Sequence, residues 1–198
     1  EVFAPPQVPE SPNAVLDRFR EVEGLSGTAF SDILHGDDAT AADMVGHELT
    51  NFGLINGLKD GPNALFNEGL ALFTGGNILL GGAGSDLIEG RGGNDVIDGD
   101  AWLNVYISVR HPTNANVELF RVDSMTEIQE RMFKGEINPG QLKVMREIVM
   151  SETEDFDTAL YSDVIANYSI EGGGVDVDGD GFITIAHNDP VLGAGLGI

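Results

Sequence analysis

Residues 81–98 read GGAGSDLIE followed by GRGGNDVID. Glycine falls at the first and fourth places of both nine-residue units, aspartate at the sixth, apolar residues at the seventh and eighth, and an acid at the ninth. Nine residues upstream, 72–80 (LFTGGNILL) keeps the second half of the pattern with Asn77 in the sixth place. Nine downstream, 99–107 (GDAWLNVYI) puts Asn104 there. A detached copy at 27–35 (GTAFSDILH) carries Asp32 in the sixth place and is followed by Gly36, Asp37 and Asp38. An internal repeat of fixed short period is the mark of a solenoid, in which each unit stacks on its neighbours.

The residue types explain the geometry. Six residues form a turn, in which glycine permits positive φ and lets backbone carbonyls converge. Three residues form a short strand whose middle, eighth-position side chain points inward. Two units make one coil, so turns on the same side recur every 18 residues: Asn77 is predicted to stack over Asp95, and Asp86 over Asn104. Neighbouring strands lie about 4.7–4.9 Å apart. Calcium–oxygen distances are about 2.3–2.6 Å. An ion between successive turns therefore reaches a side-chain oxygen from each, plus glycine carbonyls. Hard oxygen donors in a flexible cage suit calcium rather than zinc or copper. The predicted ligand set is Asp32, Asp37, Asp38, Asn77, Asp86, Asp95, Asp98, Asp100 and Asn104, with the turn glycines Gly81, Gly82, Gly84, Gly90, Gly92 and Gly93. Asparagine at two sixth positions weakens the outer cages relative to those at Asp86 and Asp95.

Composition agrees. Thirty-three acids against ten Lys and Arg give a formal charge of −23. That argues against nucleic acid, whose phosphates need clustered cations, and against an anionic membrane surface. No apolar run approaches the roughly 18 residues of a membrane span, and a hydrophobic share of 41% is too high for simple disorder. Bound cations are a direct way to hold such a chain folded. Cysteine is absent, so there is neither disulfide nor thiolate chemistry. The 27 glycines are about twice the usual share of about 7%.

The strands are apolar on both faces: the seventh places hold Ile33, Ile78, Leu87, Val96 and Val105. The outer face therefore calls for a cover. Two segments qualify, and the second, 124–150, is the one expected to lie over Ile78, Leu87 and Val96. Residues 39–71 interrupt the repeats with apolar stretches at 41–49 and 63–73. Residues 124–150 read as a helix pair: Ser124 to Glu127 forms a capping box, Gly135 stops the first helix and Pro139 starts the second. Leu142, Met145, Ile148 and Val149 supply the second apolar stripe. Further on, 158–161, 164–170 and 182–186 read as strands. Between the last two, Asp176, Asp178 and Asp180 form a D-x-D-x-D-G run that opens like an EF-hand loop but has His187 where the bidentate Glu is expected. It is predicted to be a calcium loop between strands.

The expected organisation is a linker and short helix at 1–23, a parallel β-roll at 24–153 with an insertion at 39–71 and the helix pair at 124–150, and a small β extension at 154–198. The class is mainly β with helices, a parallel solenoid covered by helical insertions. The four histidines, His35, His47, His111 and His187, are scattered, and His47-Glu48 lacks the second histidine of a zinc protease helix. No nucleophile elbow or phosphate loop occurs, so no catalytic residue is expected. The ends of the sequence read as those of a piece from a longer protein.

The repeat resembles the RTX family of bacterial proteins exported by type I secretion. The longer string GGNILLGGAGSDLIEGRGGNDVIDGDAWLNV at 75–105, with SGTAFSDILHGDD and DMVGHEL, resembles the region that follows the catalytic domain in large bacterial proteins carrying animal-type heme peroxidase domains. Some of those relatives are associated with manganese oxidation. The resemblance implies a secreted or cell-surface calcium module holding several ions, monomeric, adjoining other domains of its parent chain. Haem ligands belong to another domain, and nothing here matches them. An adhesin-like module whose calcium-fixed loops hold a peptide or sugar is the alternative, as is an accessory domain of a heme peroxidase.

Overall fold

The computed structural model describes residues 22–61, 64–66, 69–175 and 182–189. The expected linker and short helix at 1–23 therefore lie almost wholly outside the described residues. So do Asp176, Asp178 and Asp180. The chain is mainly β, with one α-helix and four separate sheets among the described residues.

Five three-residue strands follow the repeats: β1 (Gly24–Ser26), β2 (Ile33–His35), β3 (Ile78–Leu80), β4 (Leu87–Glu89) and β5 (Val96–Asp98). A sixth, β9 (Thr158–Leu160), arrives much later in the chain. They form two parallel sheets, β1-β3-β5 and β2-β4-β9. Ile78 faces Val96 in the predicted 18-residue register. Ile33 faces Leu87, and Leu87 faces Thr158. The middle residues of β2 to β5 point between the sheets: Leu34, Leu79 and Ile88 are buried there with Ile97 against them. The chain thus runs in three coils, β1–β2, β3–β4 and β5–β9, each made of one strand from either sheet.

Two long segments interrupt the coils, and both leave from turns. The first, after Asp38, is irregular. The expected helical stretches are not there: among its described residues the only helical element is a 3₁₀ turn at Phe52–Leu54. Gly46, Gly57 and Gly61 take φ of +88, +82 and +101°, which no helix accommodates. The segment still works as a cover. Phe52, Leu58, Leu65 and Phe66 close over the outer face of β1-β3-β5, against Leu80, Ile78 and Val96.

The second segment forms an antiparallel sheet: β6 (Ala101–His111), β7 (Asn114–Val122) and β8 (Leu142–Met150), in the order β7-β6-β8. The predicted helix pair is corrected here. The Ser124 capping box exists, but it heads a 3₁₀ turn that leads into a five-residue helix, α1 (Gln129–Phe133). Gly135 ends that helix with φ +74°. Pro139 opens another 3₁₀ turn, and the expected second helix is strand β8. The apolar spacing at 142, 145, 148 and 149 fits a helix on paper. The long open edge of β6 offers nine paired partners, from Ala101↔Met150 to Val109↔Leu142, and the β-branched Val144, Ile148 and Val149 suit a pleated surface. Helix α1 does not cover the coils. Its neighbours Ile128 and Ile137 and its own Met132 pack with Val109 and Val122 of the hairpin. From the inserted sheet, Ala101 at the start of β6 and Ile148 and Met150 at the far end of β8 reach the cluster over β1-β3-β5.

The outer face of the other parallel sheet is largely open. Ile33 is 67% exposed, and Leu87 is half-buried. The strand at 158–160 belongs to the coils through β4 rather than to a separate extension. Beyond it, β10 (Tyr168–Ile170) and β11 (Ile185–His187) make a two-stranded antiparallel sheet. No helix of the described residues is long and apolar enough to cross a membrane.

Candidate metal centre

Every turn between the parallel strands has one plan. It opens on a glycine and closes on an Asp or Asn just before the next strand. Turns 27–32 and 81–86 lie on one side of the coils, and turn 90–95 on the other. The turn that opens at Gly36 closes at Asn77, with the first insertion looped out of it. The turn that opens at Gly99 closes at Asp157, with the β6–β8 sheet looped out.

The closing side chains are stitched to one another. The Asp32 N–H donates to Asp86 Oδ1 at 2.7 Å, and the Asp86 N–H donates to Asp157 Oδ1 at 2.9 Å. On the other side the Asn77 N–H donates to Asp95 Oδ1 at 2.7 Å, and the Asp37 N–H donates to Asn77 Oδ1 at 2.9 Å. Each carboxylate thus spends one oxygen on the neighbouring coil. The second oxygen of Asp86 and of Asp95 is buried with no hydrogen-bond partner. A buried anionic oxygen without a partner is costly, because it has lost water and gained nothing in return.

Electrostatics reports the same cost. Burial pushes the Asp95 carboxyl up to about 6, with the charge of Asp37 adding to the shift. Burial is also the main cause that raises Asp86, with Asp157, Asp32 and Asp155 contributing. Asp98 is raised by burial as well, although its Oδ1 accepts the N–H groups of Asp100 and Ala101 where β6 begins. A divalent cation against these oxygens would offset that cost.

The glycines make the room. A Cβ on Gly81 would collide with Asp86 Oδ2 and the Gly99 carbonyl oxygen, and one on Gly90 would collide with Asp95 Oδ2. Gly82, Gly84 and Gly93 adopt φ of +105, +101 and +92°, and a side chain on Gly92 would meet the backbone of Asp38. Arg91 takes the second place of its unit at φ +72°, a left-handed conformation that glycine would hold more easily. The donors available are carboxylate, amide and carbonyl oxygens, the set that calcium prefers.

One predicted residue sits elsewhere, and the partners of the upstream acids differ from one to the next. Asn104 is not stacked over Asp86: it lies in β6, opposite Glu147, and its Nδ2 donates to Glu147 Oε1 at 3.2 Å. Asp157 holds the place expected of Asn104. Asp37 Oδ1 accepts the Ala39 N–H at 2.9 Å, and Asp38 is exposed. Asp32 Oδ2 is satisfied by the N–H and hydroxyl of Thr28. The sequence reading missed Asp155 and Asp157. For Asp157 the available signal was an Asp immediately before a three-residue strand, as at Asp32, Asp86 and Asp95.

Residues 73–101 match the family described as RTX calcium-binding nonapeptide repeat (4 copies). These residues are RTX repeats. The matched segment spans β3 to β5 and the turns closed by Asp86 and Asp95; the first coil, the β6–β8 sheet beyond its first residue, and β9 lie outside it. No curated protein and no solved structure matches the chain.

Proposed function

We propose that this chain is a calcium-binding structural module of a secreted bacterial RTX protein, and that it folds when it meets calcium outside the cell. The observation that carries this is the pair of buried, partnerless carboxylate oxygens on Asp86 and Asp95. Where calcium is scarce, these groups and the −23 charge oppose the compact state. Where calcium is plentiful, an ion bound only by the folded chain adds about 2.7 kcal/mol per site at 100 times its dissociation constant. Several such ions convert a marginal fold into a stable parallel β-roll. In this reading the chain performs no catalysis of its own, is monomeric, and serves the neighbouring domains of its parent chain. The resemblance to regions beside heme peroxidase domains supports that last role.

Calorimetric titration of the metal-free chain tests this. Calcium should bind at more than one site, with magnesium far weaker because it demands a tight octahedral shell and dehydrates reluctantly. Absence of calcium binding, or equal binding of both ions, would overturn it.

A second reading, a calcium-fixed module that holds a ligand, is favoured by one feature. A cleft of about 430 Å³ between the first insertion and the coils is walled by Leu25, Met44, Leu49, Ile55 and Phe73, with His47 at its lining. Such a site suits a small apolar group.

A further inference from the structure

We propose that the cleft at the tip of the β6–β7 hairpin binds a small hydroxylated oxyanion, a sugar acid or a sugar phosphate. The site belongs to the inserted sheet and does not depend on how the coils hold metal.

Charge is unevenly spread along the chain. Residues 101–150 hold six of the ten Lys and Arg residues but only six of the thirty-three acids, so the inserted sheet is formally neutral and the rest of the chain carries the whole charge of −23. Strand β6 leaves the coils at Ala101 and ends at His111, about 30 Å away along an extended strand. That is several times the screening length of about 8 Å in physiological salt, so the acids of the coils are screened at the tip. There the turn between β6 and β7 and the segment 138–143 enclose a cleft of about 760 Å³. Four other clefts among the described residues each have Asp or Glu in their walls. This one has neither, and Arg110, His111 and Lys143 line it.

Arg110 is short of partners. Its side chain is only 15% exposed, and its Nε is buried with no hydrogen-bond partner. Its Nη2 stands 4.0 Å from Glu118 Oε2 and donates at 3.3 Å to Met145 Sδ, a weak acceptor. Glu118 is already engaged. Ser108 Oγ donates to its Oε2 and Arg121 Nε to its Oε1 at 2.6 Å, and these bonds, Ser108 first, hold its carboxyl below the ordinary value. A guanidinium largely removed from water without a full set of acceptors is costly, and an anion in the cleft supplies them. Lys143 makes no ion pair among the described residues. His111 Nδ1 accepts the Thr113 N–H at 3.3 Å, which leaves Nε2 to donate.

The walls are held ready. Gln141 Nε2 donates to the Arg110 carbonyl oxygen at 2.8 Å and ties the 138–141 turn to β6. Within that turn the Gly140 N–H donates to Asn138 Oδ1 and the Asn138 N–H donates to Gln141 Oε1, each at 2.9 Å. A planar guanidinium beside an ammonium suits the oxygens of a carboxylate or phosphate. The volume leaves room beyond a single oxyanion, and the side-chain amides of Asn116 and Asn138 offer bonds to hydroxyl groups.

Amide chemical-shift mapping of the folded chain in millimolar calcium tests this with three probes: glucuronate, a glucose phosphate and glucose. At least one of the two anions, and not glucose, should shift the amides of residues 110–116 and 138–143, with an affinity that falls as salt is raised. The anion that binds more tightly identifies the recognised group as carboxylate or phosphate. Lys143→Gln, a change at an exposed side chain, should weaken binding about tenfold. Shifts at these residues from neither anion, equal shifts from glucose, or unchanged binding in Lys143→Gln would overturn the proposal.

Discussion

Asp95→Asn should stabilise the metal-free chain and destabilise the calcium-loaded one. Without metal, Asp95 carries a carboxyl raised to about 6 from an ordinary value of about 4. At about 1.4 kcal/mol per unit, the shift corresponds to about 3 kcal/mol of opposition to the folded state at neutral pH, and partial solvation of the group reduces that to about 1–2 kcal/mol. The sign follows from proton binding. The folded chain holds the proton more tightly than the unfolded chain, so metal-free stability falls as pH rises from about 4 through about 6. Asparagine keeps the oxygen that accepts the Asn77 N–H, and Asn77 itself shows that the turn accommodates an amide. It also removes the anion the ion needs. At calcium 1,000 times the dissociation constant, loss of one site costs about 4 kcal/mol, so the net effect in calcium is a loss of about 2–3 kcal/mol. For a chain of this size 1 kcal/mol moves the melting temperature by about 2–4 °C. Scans at pH 7 in a fixed concentration of sucrose, which keeps the metal-free chain folded enough to melt, should show Asp95→Asn several degrees higher in chelator and several degrees lower in calcium. Shifts of the same sign in both media would refute the reasoning.

Other outcomes follow from the same structure. Leu80→Ala, under the cover of the first insertion, should cost about 2–5 kcal/mol in calcium-loaded denaturant melts, while Ile33→Ala on the open sheet should stay within about 0.5 kcal/mol; equal costs would contradict the one-sided cover. Gly82→Ala should weaken the calcium-loaded fold by more than the usual glycine-to-alanine change, since φ is +105° and a Cβ would strike the Thr28 carbonyl; an unchanged melting temperature would show that the turns are not in backbone contact. The buried His187 donates from Nε2 to Asp163 Oδ2 at 3.0 Å, which raises the imidazole, while Asn167 first and then His187 lower Asp163 to about 2. The stability from His187 should be full below its ordinary value of about 6.5 and fade as pH rises through the raised value. That from Asp163 should be present above about 4 and fade as pH falls toward 2. Hydrogen exchange of β10 and β11 should follow this profile and lose it in Asp163→Asn.

The part of this architecture that was legible in the sequence is the part with a local period. The 18-residue pairing of Asn77 with Asp95 and the inward row of Leu34, Leu79, Ile88 and Ile97 follow from nine-residue units alone. The rest depends on partners far along the chain. Asp86 meets Asp157 across 71 residues, and no period links them. Asn104 stands in register by counting, yet the strand that contains it runs eleven residues instead of three, so the count stops having meaning at Ala101. Residues 142–150 have an apolar pattern compatible with helix or strand, and the free edge of β6 decides between them. In the first insertion, apolar residues marked a cover correctly, but its positive-φ glycines prevent the helices that the pattern suggested.

The most direct measurement is amide hydrogen exchange of the whole chain at pH 7, in chelator and in millimolar calcium. The account predicts that in chelator the amides of β3, β4 and β5 exchange nearly as fast as in an unfolded chain, and that calcium protects them together as the coils close. Protection of these strands that is the same in chelator and in calcium would contradict it.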